Sequence, residues 1–76
     1  MKIIQIAQLE TDEADYELEV VIKKENANEF SFEFEIYDSA GNIIGLDKLT
    51  KSVVNRAYSM SKRISDDFHS KLFEWA

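Results

Sequence analysis

A chain of 76 residues without internal repeats makes one small domain, residues 1–76, with a core that is only just large enough to fold alone. Its 45 % apolar content, with five Phe, three Tyr and one Trp, excludes a disordered acidic tail and places the net charge of −6 on a folded surface. The absence of cysteine rules out disulfide frameworks, thiolate metal sites and cysteine nucleophiles, and fits a reducing, cytoplasmic setting.

In chain order, Lys2 to Leu9 reads as a first strand, rich in Ile but without clean alternation, which suggests a strand covered more fully than its neighbours. Gln5 and Gln8 interrupt it, no cleavage pattern follows, and nowhere are there ~18 continuous apolar residues, so neither a signal peptide nor a membrane span is expected. After the acidic connection Glu10-Thr-Asp-Glu-Ala-Asp15, two strands follow, Tyr16 to Lys24 and Phe30 to Asp38. A short loop around Asn26-Ala27-Asn28 joins them as a hairpin, since Asn tolerates positive φ. Alternation places Tyr16, Leu18, Val20 and Ile22, then Phe30, Phe32, Phe34 and Ile36, on one buried face. Glu17, Glu19, Glu33 and Glu35 fall on the other. Parity leaves two registers open: Glu19 opposite Glu33 with Glu17 opposite Glu35, or Glu19 opposite Glu35. Both cluster the carboxylates.

Asp38 to Asn42 is a second turn, with Gly41 available for a left-handed position, and Ile43-Ile44-Gly45-Leu46 returns as a short fourth strand. Asp47 is placed to cap a helix in which Leu49, Val53, Ala57, Met60, Ile64, Phe68, Leu72 and Trp75 recur at spacings of three and four. A helix from Lys48 to Trp75 would be about 42 Å long against about 26 Å for an eight-residue strand. Either its last three turns project past the sheet, or it breaks at Ser65-Asp66-Asp67 with Ser65 capping a second helix that folds back. The fold expected is therefore α+β: an antiparallel sheet of three long strands and one short strand, with a long C-terminal helix packed on one face.

Charge is divided along the chain. Residues 1–46 hold 11 acids and 3 bases, a balance of −8, whereas residues 47–76 hold 4 acids and 6 bases, a balance of +2. Like charges opposite each other across a strand pair destabilise it, so folding alone does not ask for the four glutamates. Acid–base catalysis would need them in a cleft that separates their pKa values, and an open strand face offers none. The single histidine, His69, falls with Lys51 and Lys62 on the solvent side of the helix and completes no catalytic or metal set. The loop from Glu10 to Asp15 lacks the Gly and the spacing of an EF-hand, and Gly41-Asn-Ile-Ile-Gly45 is too poor in glycine to cradle phosphate. No enzyme activity, metal or cofactor is expected. Direct nucleic-acid binding is not expected either: the sheet face would repel phosphate, and Lys51, Arg56, Lys62 and Arg63 are few against a net −6.

Two surfaces remain. Glu17, Glu19, Glu33 and Glu35, with Glu10, Asp12, Glu13 and Asp15 at one end, are either a solvated face that keeps a β-rich chain from aggregating or a set of spaced charges for a basic partner. In size, acidity and lack of catalytic groups the chain resembles the small inhibitors of phage and mobile elements, anti-CRISPR and DNA-mimic proteins among them. That resemblance implies an inhibitor that occupies a nucleic-acid-binding surface of its target. The second surface is the helix end, where Phe68, Leu72 and Trp75 extend the core stripe and Phe73 points nearly opposite; it is either a folded-back tail or a dimer or partner contact. The expectation is non-catalytic protein binding through these surfaces. The alternative is a small homodimeric assembly protein whose acidity serves only solubility.

Overall fold

The computed structural model describes residues 2–24 and 29–75, the last five as backbone only. Four antiparallel strands, β1 (Lys2–Glu10), β2 (Asp15–Lys24), β3 (Phe30–Tyr37) and β4 (Ile43–Ile44), form a meander in the order β1-β2-β3-β4. A 3₁₀ turn over Leu46–Lys48 leads into a single helix, α1 (Lys51–Trp75). This is the α+β architecture that the alternation and helical spacing demand.

The hairpin loop read around Asn26-Ala27-Asn28 lies outside the described residues, but the strands it joins pair from Lys24 opposite Phe30 to Glu17 opposite Tyr37. Of the two open registers, the chain adopts the one with Glu19 opposite Glu35. After β3 the chain reverses at Asp38, whose Oδ1 accepts hydrogen bonds from the backbone N–H of Ala40 and of Asn42, both at 2.9 Å. Gly41 takes φ 85° there, which costs a residue with a Cβ about 1–2 kcal/mol. The fourth strand is shorter than expected: only Ile43 and Ile44 pair, opposite Tyr37 and Ile36, because Leu46 already belongs to the 3₁₀ turn.

That turn also corrects the cap. Asp47 sits inside it, and the cap falls three residues later at Thr50, whose Oγ1 accepts the N–H of Val53 at 3.3 Å and whose carbonyl accepts that of Val54 at 3.1 Å. The chain needs those residues to climb from the sheet edge onto its face. Helix α1 does not break at Ser65. Ser65 is buried on the packed face, and Asp66 is held within the helix by Lys62 four residues earlier, at 3.1 Å.

The core lies between α1 and the inner face of β2 and β3. Leu9, Leu18, Val20, Ile22, Ile36, Val53 and Ala57 are buried, and Phe30, Phe32, Phe34, Leu49, Met60, Ile64 and Phe68 pack around them half-buried. On the helix, Ala57, Ser61 and Ser65 recur every fourth residue and are all buried, so a row of small side chains lets the helix backbone settle close to the sheet. Ser61 Oγ donates to the Ala57 carbonyl at 2.7 Å, which removes its need for a partner in the sheet.

Three aromatic contacts tie the flank of α1 to β3. The ring of Tyr58 lies 5.6 Å from that of Phe32 and 6.4 Å from that of Phe34, and His69 stacks on Phe30 at 4.1 Å. His69 is thus half-buried against the sheet rather than on the solvent side. The expected three-turn overhang is correspondingly shortened. Phe68 belongs to the core, and the helix backbone runs on from His69 to Trp75. No helix of the described residues is long and apolar enough to cross a membrane.

The first strand departs most from expectation. It stands at the sheet edge and is mostly exposed, since α1 lies chiefly over β3 and β2. Its alternation is real but hidden. Ile3, Gln5, Ala7 and Leu9 take the inner face, while Ile4 and Ile6 point outward at 54 % and 53 % exposure. Isoleucines on both faces erase the polar–apolar contrast from which a strand's facing is read.

Candidate functional site

The outer sheet face is built from rows across β1, β2 and β3. From one end these rows are Lys2, Lys23 and Ser31; then Ile4, Val21 and Glu33; then Ile6, Glu19 and Glu35; then Gln8, Glu17 and Tyr37; and last Glu10 with Asp15. Helix α1 packs on the opposite face, and no element of the described chain covers this one. The four glutamates expected to gather here do so, and Asp15 joins them at the acidic end. Asp12 and Glu13 are exposed in the tight β1–β2 turn, which is closed by Thr11 and Ala14 through two side-chain hydrogen bonds of 2.6 and 3.0 Å.

The face is polarised rather than uniformly anionic. Lys23 Nζ reaches diagonally to Glu33 Oε1 at 3.2 Å, so Glu33 is partly neutralised. Glu19 and Glu35, by contrast, stand directly opposite each other, and Glu17 is one residue pair further along. Beside them Tyr37 donates its hydroxyl to Glu35 Oε2 at 2.9 Å. Ile4, Ile6 and Ile43 add exposed apolar surface to the same side. Alternation alone does not announce these neighbours: Tyr37 closes β3, and isoleucines on both faces blur the facing of β1.

One titration follows from the geometry. The hydrogen bond to Glu35 raises the pKa of Tyr37 above its ordinary 10.0, with partial burial and the charges of Glu19, Glu35 and Glu17 acting in the same direction. Because the folded state holds the phenolic proton more tightly than the unfolded chain, this group contributes stability below pH about 10 and loses it as pH rises through the elevated value. Ultraviolet absorbance titration should therefore reveal a late phenol ionisation that disappears in Tyr37→Phe and shifts downward in Glu35→Gln. If the Glu35→Gln trace matches that of the wild type, Glu35 is not the cause.

Open troughs lie elsewhere on the described surface. One of about 650 Å³ runs along a flank of α1 past Ser52, Arg56, Met60 and Arg63, and one of about 210 Å³ opens between Gln5 and the helix residues Ile64, Asp67 and Phe68. Among the described residues, no three His, Asp or Glu side chains converge closely enough to hold a metal ion. At the helix end, Phe68 is committed to the core, and the side chains of Leu72, Phe73 and Trp75 lie outside the described residues. Compared with known proteins, the chain matches no family model, no curated protein and no solved structure.

Proposed function

We propose that this domain is a non-catalytic binding module whose acidic sheet face docks on a basic protein surface, and that it inhibits a partner by occupying the surface the partner uses for nucleic acid. The observation that carries this reading is the direct opposition of Glu19 and Glu35, beside Glu17, on a face left uncovered by the rest of the described chain. Opposed like charges cost stability, and a basic partner turns that cost into attraction and faster encounter. Along a strand alternate residues are ~6.7 Å apart and neighbouring strands are ~4.8 Å apart, so Glu17, Glu19 and Glu35 form one compact cluster of negative charge. Catalysis has no support in this arrangement, because the carboxylates stand in the open rather than in a cleft.

The register decides which substitutions test the idea. Reversing Glu33 would remove its ion pair with Lys23, whereas Glu19→Lys with Glu17→Lys sets an ammonium group directly against the Glu35 carboxylate and relieves the repulsion. The double variant should melt at or above the wild-type temperature. Affinity capture from a lysate with wild-type bait should yield a nucleic-acid-binding protein that is released by salt and displaced by added double-stranded DNA, and the variant should not retain it. Equal capture by both baits, or indifference to DNA, would refute the proposal.

A further inference from the structure

We propose that the free edge of β1 pairs with the β1 of a second copy, antiparallel and centred on Ile6, to give a two-fold dimer with one continuous eight-stranded sheet. Strand β1 is nine residues long, pairs with β2 residue for residue without a bulge, and presents its other edge to solvent among the described residues. Long flat edges are usually blunted by proline, a bulge or an inward-pointing charge; this chain has no proline, and the inward residues of β1 are Ile3, Gln5, Ala7 and Leu9. The opposite edge of the sheet is protected. β4 covers the end of β3, and Glu33 and Glu35 line the rest of it.

The occupant is identified by the strand's complementarity to itself. Centred on Ile6, an antiparallel pair sets Lys2 against Glu10 of the other copy at both ends, Ile3 against Leu9, Ile4 against Gln8 and Gln5 against Ala7, with Ile6 meeting Ile6 on the axis. All nine residues are used, and opposite charges close the seam twice. Registers centred on Gln5 or Ala7 keep the facing but leave strand residues unpaired and lose both charge pairs. Because paired residues share a face, both copies of α1 lie on the same side of the extended sheet. On the inner face the seam then sets Ile3, half-buried in one copy, beside Leu9 of the other, and Ala7, likewise half-buried, beside the exposed Gln5. A two-fold axis makes this contact closed rather than fibrous. The inference uses a strand edge, and so it stands apart from the acidic-face reading.

Sedimentation of the full chain tests it. A single strand pair is a small interface, so a monomer–dimer equilibrium is expected in the range of about 10–100 µM. Lys2→Glu and Glu10→Lys should each raise the dissociation constant about tenfold, and the double swap should restore it, since only the Ile6-centred register pairs these positions. Ile6→Lys should abolish the dimer by placing two ammonium groups on the axis, while its melting temperature holds because Glu19 lies opposite in β2. A wild type that stays monomeric up to about 1 mM would overturn the proposal. So would a dimer that survives Ile6→Lys, or one lost in Leu72→Glu/Trp75→Glu while that variant keeps its fold.

Discussion

Leu18→Ala should lower stability by about 3–4 kcal/mol, because a fully buried leucine on a central strand leaves a cavity that its neighbours cannot close. Leu18 stands between Ala7 of β1 and Ile36 of β3, on the face that α1 covers. Continuous ladders hold both flanking strands to β2, so the site cannot collapse inward. A domain of this size has a total stability of about 4–11 kcal/mol, so the variant would sit near the edge of folding at room temperature. Phe34→Ala is the informative contrast. It removes more side chain, yet Phe34 is half-buried, with Tyr58 over it, itself 51 % exposed, so its loss should cost only about 2 kcal/mol. Urea denaturation of the two variants orders them. If Phe34→Ala proves the more damaging, the aromatic flank rather than the aliphatic centre holds the fold.

The second large effect belongs to the seam between helix and sheet. Ser61 is fully buried in the middle of the row Ala57, Ser61 and Ser65, and its hydroxyl is already satisfied by the Ala57 carbonyl. Ser61→Leu should therefore cost about 3 kcal/mol, since the larger side chain must lift α1 from β2 and β3 or force its neighbours off their rotamers. Ser61→Ala should change stability by no more than about 0.5–1 kcal/mol, because the backbone carbonyl keeps its helical partner when the hydroxyl is removed. Thermal and urea unfolding of the pair read this directly. A tolerated leucine would mean that the helix does not approach the sheet as closely as the buried row requires.

The long strands β2 and β3 were legible because a period of two with large apolar residues on one face has a single solution. Leu18, Val20, Ile22 and Ile36 could bury only if Glu17, Glu19, Glu33 and Glu35 faced outward, and the helix had to cover the side they left apolar. Ser61 and Ser65 were not legible as core. A hydrophobic stripe is read from large apolar residues, and at these positions packing asked for smallness instead. The angle on the helical wheel sets His69 outward, but the ring of Phe30 reaches far enough around the helix to stack on it. For Lys2–Glu10, sequence alone could not say whether isoleucine on both faces meant two covered faces or two open ones, since composition records apolarity and not what lies above it.

What the chain determines by itself is everything carried by local pattern: an α+β fold, the facing of β2 and β3, an acidic sheet half against a mildly basic helix half, and a turn hinged on Gly41. Local pattern repeats every two or every 3.6 residues, so it holds no information about neighbours distant in sequence. Register, coverage and edges are properties of such neighbours. Only the tertiary structure could therefore choose Glu19 opposite Glu35 over Glu33, lay α1 over β3 and β2 and leave β1 at the rim, and thereby open one acidic face and one self-complementary strand edge to solvent.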